Sequence, residues 1–197
     1  MQNKQENKTG QRLVLENIFD FVEIAVFALV LVAILFAFFI RIVGVDGNSM
    51  MTTLQHQDRL ILTKAFYTPE RGDIVVLKCE GEGSNPLIKR IIAVGGDTVQ
   101  VTDDNRVLVN GQIINEPYVD PEYLKRKPDA QSDDIIEVPE GYVFVMGDHR
   151  DSSLDSRFPA GLARLGCENI NGCISEDAII GKAVWRFLPF DQFGSVE

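Results

Sequence analysis

Three short segments carry more polar chemistry than their surroundings require. In VDGNSMMTTLQ, residues 45–55, Ser49 follows Gly47 and Asn48, two residues that accept unusual backbone angles and let another backbone approach. A serine placed so is a candidate nucleophile, although the same stretch also reads as a linker turn. In PLIKRIIAVGGD, residues 86–97, strand alternation puts Leu87, Lys89, Ile91 and Ala93 on one face, with Arg90 on the other between Ile88 and Ile92. Burial disfavours an ammonium, and a neutral amine can take a proton from a hydroxyl near neutral pH. The alternative is a lysine that snorkels from a strand edge. In MGDHRDSSLDSRF, residues 146–158, three Asp, two Arg and three Ser fall within thirteen residues. Exposed, they form a solvated loop of ion pairs worth little. Turned inward, they can orient a lysine amine through hydroxyls while Asp–Arg pairs fix the loop.

The elements that must position these groups follow from length and periodicity. A chain of 197 residues, 45% of them hydrophobic, suffices for one globular core and a short appendage. No residue from Ile24 to Ile40 is polar, and apolar character resumes after Arg41. The run is too long, and flanked by the wrong residues, for a cleaved secretory signal. It predicts a single transmembrane helix over residues 21–44, about 30 Å of helix with some tilt, behind a tail of residues 1–20. Lys4, Lys8 and Arg12 precede it against Arg41 and Arg59 after it, which orients the tail towards the cytoplasm. The first 45 residues hold four Lys or Arg and four Asp or Glu, so the net charge of −10 belongs to the remainder. An acidic domain of this kind excludes nucleic acid as a partner and does not bind anionic headgroups through charge.

Residues 45–197 read as mostly β, with strands expected at 59–63, 73–78, 87–94, 98–101, 106–109, 112–114, 135–138, 142–146 and 179–187. Asp103-Asp104-Asn105 and Asn110-Gly111 supply hairpin turns. The polar, proline-containing stretch 116–134 is expected as a surface excursion. Cys167 and Cys173 enclose five residues and could close a disulfide outside the cell, leaving Cys79 an inert strand residue. The two histidines, His56 and His149, lie far from that pair, so no metal site is expected.

Taken together, GNSMMTTL, RGDIVVLK, IKRIIAVGGD and GDHRDSSLDSR, in that order and directly behind an anchor, resemble the type I signal peptidases over nearly the whole chain. These are membrane-anchored Ser–Lys proteases without a cofactor. The resemblance implies a β domain of coiled antiparallel sheets, with Ser49 as nucleophile and Lys89 as general base. Ser153 is implied to hydrogen-bond the lysine amine, Asp155 and Arg157 to form a supporting pair, and Gly147 and Asp148 to shape the start of the loop. The Ser49 N–H is implied as oxyanion donor at the Gly47 turn. Val45, Leu54 and Ile88 match positions lining shallow pockets for small residues, the Ala-x-Ala pattern of signal peptides, with the substrate laid along the lysine strand. Partners are then the signal peptides of secreted preproteins and the lipid bilayer, for a monomer anchored once in the plasma membrane with its catalytic domain extracytoplasmic.

Two positions depart from the family pattern. Gly47 stands where some members carry a hydroxyl donor, and Thr52 stands where a proline is usual. Desolvation is expected to keep Lys89 neutral, with Asp148 and Asp155 paired to Arg150 or Arg157 and so held off the amine. The rivals are a Ser-His protease using His149 or His56, and an inactive membrane-anchored binding module.

Overall fold

The computed structural model describes residues 17–34, 40–81, 85–124 and 134–196 and comprises two units, Met1–Ile40 and Arg41–Glu197. In the first, helix α1 spans Asn17–Ile34, an 18-residue stretch apolar enough to cross a membrane. None of it is buried within the protein, which is not how a core helix sits. The predicted helix through residue 44 is too long. Strand β1 occupies Ile40–Gly44 and neighbours β2, Arg59–Thr63. β-branched Ile40, Ile42 and Val43 pay for little in extended backbone, so this end of the apolar run joins the sheet.

Beyond β2 come β3 (Ile74–Leu77), β4 (Leu87–Val94), β5 (Thr98–Val101), β6 (Val107–Val109) and β7 (Gln112–Ile113). Then follow β8 (Ile136–Glu137), β9 (Tyr142–Met146), helix α2 (Pro159–Arg164), β10 (Asn169–Ile170) and β11 (Cys173–Ser175). The ten-residue β12 (Ile179–Leu188) and β13 (Gly194–Ser195) end the chain. Among the described residues the larger sheet runs β1-β2-β12-β3-β4-β9-β11-β10, with β13 beside β12, and the smaller runs β7-β6-β5-β8. The predicted strands form within a residue or so of their expected ends. The two- and three-residue strands β10, β11 and β13 are too short for a periodic signal. The hairpin turns behave as their residues require: Asn110 and Gly111 have φ of 53° and 75°, and Asn105 has φ of 60°.

β4 is central, between β3 and β9, and six of its eight residues are buried. Its pairing with β9 shifts register between Ile91 and Ala93. Ala93 therefore packs with Ile92, Phe144 and Met146 against the small sheet, not on the Leu87–Ile91 face where strict alternation puts it. The opposite face packs Val75, Ile91, Val143, Val145 and Ile174 against Leu162 of α2. A third cluster, Val45, Met50, Leu54, Leu60, Leu62, Ile74, Val76 and Ile88, fills the region under β1 and β2.

The disulfide differs from expectation. Cys79 is joined to Cys167, 88 residues apart, and Cys173 is a buried free thiol. Cys173 faces the small-sheet side whereas Cys167 lies on the α2 side, so the sheet separates the two. Cys79 instead meets Cys167 where Glu80 N–H donates to Gly166 O at 2.9 Å and Gly81 N–H to Leu165 O at 3.1 Å. An unreduced digest should contain a Cys79–Cys167 peptide. Closing a loop of this length is worth up to about 4 kcal/mol, so Cys79→Ser should lower the denaturation midpoint accordingly. A Cys167–Cys173 peptide would overturn the pairing.

Candidate active site

The turn bearing Ser49 is clamped at its base. Val45 N–H donates to Asp58 O at 2.9 Å and Gln57 N–H to Val45 O at 3.0 Å. Met50 and Leu54, both buried, root its far side, and Leu54 N–H returns to Met50 O at 2.8 Å. Asp58 accepts from Gln55 N–H at 2.9 Å and from Arg186 at 3.1 Å, and Arg186 also donates to Thr53 O at 3.1 Å. Gly47 has φ of +100°, a conformation that an L side chain rarely adopts, and its N–H faces His56 Nδ1 at 3.4 Å.

Lys89 extends from the middle of β4 and is 2% exposed. Its amine donates to Ser49 Oγ at 2.8 Å and to Ile88 O at 3.0 Å. Burial pushes the amine down to about 8; the charges of Asp155 and Asp148 act upward against it and that of Arg157 acts downward. The snorkelling alternative fails because β4 is an interior strand.

The carboxylates nearby are each occupied by a guanidinium. Arg157 holds Asp155 bidentately, both bonds at 2.9 Å, and Asp155 also accepts Gly147 N–H at 3.0 Å. Burial alone would raise Asp155, but Arg157, helped by the Ser153 hydroxyl and the Gly147 N–H, outweighs it and the carboxyl sits below its usual range. Asp148 pairs with Arg90, not with Arg150 or Arg157, through bonds of 2.9 and 2.8 Å, and accepts Thr53 Oγ1–H at 2.5 Å. The register explains it: Arg90 lies opposite Met146, two residues before Asp148. Arg150 turns instead to Glu116, with Nη1 at 3.0 Å from Oε2 and a second bond from Nη2 to Oε1.

Gly147 is where the segments meet. A Cβ there would collide with Ser49 O and with the Ser153 side chain. Ser49 O also accepts His149 N–H at 3.0 Å. Ser153, expected to bond the lysine amine, is buried, and the amine's bonds do not go to its hydroxyl. Ser49 Oγ and Ile88 O take the amine's bonds in its place. His149 Nδ1 lies 3.2 Å from Asn48 O and its ring packs on Tyr123 at 3.8 Å, so this histidine serves the backbone before Ser49, not the hydroxyl. Of the expected pocket residues, Val45 and Ile88 are 6% and 8% exposed while Leu54 is wholly enclosed. Thr53, Arg90, Glu116 and Tyr118 were not singled out by sequence as site residues; Arg90 alone had a signal, its place beside Lys89 on a central strand.

The family model for signal peptidase, peptidase S26, matches residues 18–188. The chain is 40% identical over 188 residues to signal peptidase I P of Bacillus subtilis subsp. natto, covering 89% of this chain and 92% of that protein. It is 32% identical over 200 residues to signal peptidase I of Bacillus licheniformis, covering 95% and 96%. A crystal structure of a signal peptidase I from Enterococcus faecalis V583 is similar with TM-score 0.44 and 24% identity, over 61% of this chain and 100% of that one. A turn bearing Ser49 and a buried Lys89 thus occur in a chain that matches the model over most of its length: the protein belongs to the signal peptidase family, peptidase S26, and is a serine peptidase.

Proposed function

We propose that this chain removes signal peptides from secreted preproteins, with Ser49 as nucleophile and Lys89 as general base. The observation that carries the reading is the 2.8 Å hydrogen bond from the Lys89 amine to Ser49 Oγ. In the neutral form that amine accepts the hydroxyl proton as Ser49 attacks the scissile carbonyl, then returns it to the leaving amine. The acyl-enzyme is released by water activated in the same way. The Ser49 N–H is the oxyanion donor, and Gly47, with no atom within 4 Å of a would-be Cβ, leaves room for the carbonyl. Asp155 with Arg157, and Asp148, hold the loop that supports the pair. Ser153 lends shape beside Gly147.

Val45 and Ile88 offer a narrow apolar edge backed by Leu54, which supports a preference for small residues at the first and third positions before the cut. Helix α1 anchors the chain once in the plasma membrane, with the preceding tail cytoplasmic and the β domain outside. The Cys79–Cys167 disulfide supports that side, since such bonds persist in oxidising compartments. Both reacting side chains come from one chain, so the proposed reaction needs no second copy.

Purified protein in detergent should cleave a presecretory substrate after Ala, and Ser49→Ala should abolish cleavage. Unchanged cleavage by that variant would sink the mechanism. Substrates with Phe or Leu at the first position before the cut should be turned over at least about a hundred-fold more slowly; equal turnover would refute the shallow pocket.

Log kcat/KM should rise with pH to a plateau above an apparent pKa of about 8. Lys89→Arg should be inactive at every pH, because a guanidinium keeps its proton. A bell or a flat profile would point to another base.

Stability should carry the same signature with a defined sign. The folded amine titrates at about 8 and the unfolded one at about 10.4, so between those values the unfolded chain binds more protons and stability rises with pH. Below about 8 the buried amine costs about 3 kcal/mol at most. Lys89→Met should therefore be inactive yet melt higher at pH 7, and should lose the rise between pH 8 and 10. A lower melting temperature than wild type across that range would contradict the burial argument.

A further inference from the structure

The start of the excursion, residues 116–123, touches all three segments of the site. Thr52 Oγ1–H, behind the nucleophile, donates to Tyr118 O at 2.6 Å. Arg90, next to the base, stacks its guanidinium 3.9 Å above the Tyr118 ring. Tyr123 packs on His149, and Glu116 binds Arg150, both in the loop. Arg150 is completely enclosed, and its carboxylate partner among the described residues is Glu116. Burial opposes its charge, but the Glu116 carboxylate reverses this and holds the guanidinium above its ordinary pKa.

Arg150 also donates Nε–H to Gly147 O at 3.1 Å, while its own carbonyl accepts from Arg157 at 2.8 Å. Gly147 is thus held from both ends, its N–H by Asp155 and its carbonyl by Arg150. That is the residue packed against Ser49 O, where no side chain fits. Tyr118 O–H donates to Glu116 Oε1 at 2.9 Å and completes the link back to the excursion.

We propose that Glu116 is a positioning residue for the proteolytic reaction: through Arg150 it fixes the Gly147 carbonyl and so the backbone on which Ser49 is set. The inference rests on the Ser49–Lys89 reading of the site. Glu116 touches neither reacting group, so its loss misplaces the nucleophile without changing the ionisation of the base. Small misplacements of reacting atoms are costly, about a hundred-fold for an ångström.

The test uses the full chain in detergent with a presecretory substrate, rates being expressed per folded molecule. Glu116→Gln keeps the shape and removes the charge. It should lower kcat about ten-fold or more, with KM within about two-fold and the acid limb of the pH profile unmoved. Val99→Ala, a cavity variant in the small-sheet core, should lose melting temperature while keeping wild-type kcat below its transition. A kcat within about two-fold of wild type for Glu116→Gln would overturn the proposal. So would an equal loss of kcat in Val99→Ala, because the effect would then be general loosening. Should Glu116→Gln not fold, Tyr118→Phe decides: it removes one hydrogen bond to the carboxylate and should cost kcat about three-fold, whereas unchanged kcat refutes the brace. Ser49→Ala in the same assay separates the two failures. Activity in that variant brings down the proposed function; its inactivity beside a fully active Glu116→Gln brings down the brace alone.

Discussion

The hydrogen bond between a dry lysine amine and a serine hydroxyl imposes the constraint around which this domain is organised. An amine in water titrates near 10.4, and a carboxylate brought close would hold it charged. The fold must therefore remove water without supplying a free negative charge. The central strand position does the first, because β3 and β9 flank β4 on either side. The second is met by pairing the carboxylates whose charges reach the amine: Asp155 with Arg157 and Asp148 with Arg90. Each pair is formally neutral, so the amine feels differences between nearby opposite charges, not a net charge. Desolvation then decides the direction of its pKa.

One of these pairs, together with Glu116 and Arg150, does mechanical work on one glycine. Both polar backbone atoms of Gly147 are fixed by charged side chains, and its missing Cβ is what lets Ser49 O approach. A hydrogen bond to a charged partner is about twice as strong as a neutral one, and a bidentate pair adds direction. Electrostatic quiet and backbone placement thus meet at Asp155, which is neutralised by Arg157 and holds the Gly147 N–H. Replacing any of those arginines by lysine would keep the charge and lose the geometry.

Sequence made the strand pattern legible because alternation and turn chemistry are local. The frame β2, β4, β5 and β9 stands at its expected ends, and Asn110-Gly111 turns as its residues dictate. Ser49 and Lys89 were legible as a pair of unusual residues in unusual places. The misses are long-range. Ala93 left its face because a register shift in β4 depends on β9. Arg90, given no pairing by sequence, took Asp148, and Arg150 turned to Glu116, because choosing among nearby carboxylates requires knowing which strands lie opposite. Glu116 stands 34 residues from Arg150, and nothing in its neighbourhood marks it as a partner. Cys167 found Cys79 instead of Cys173 since a nearby cysteine on the wrong face of a sheet is out of reach.

The disulfide and the buried lysine are of comparable size and opposite sign. Enclosing the amine costs about 3 kcal/mol at neutral pH, and an 88-residue cross-link contributes up to about 4. Their positions also correspond. Cys79 follows β3, whose Val75 and Leu77 lie opposite Lys89 and Leu87. Cys167 follows α2, which continues from the loop holding Asp155 and Arg157. The bond thus joins the trailing end of the supporting loop to the strand pair that carries Lys89. A loop detached from that pair would admit water to the amine, and a hydrated amine regains its proton. The cross-link therefore opposes the local opening that would undo the desolvation of the Lys89 amine.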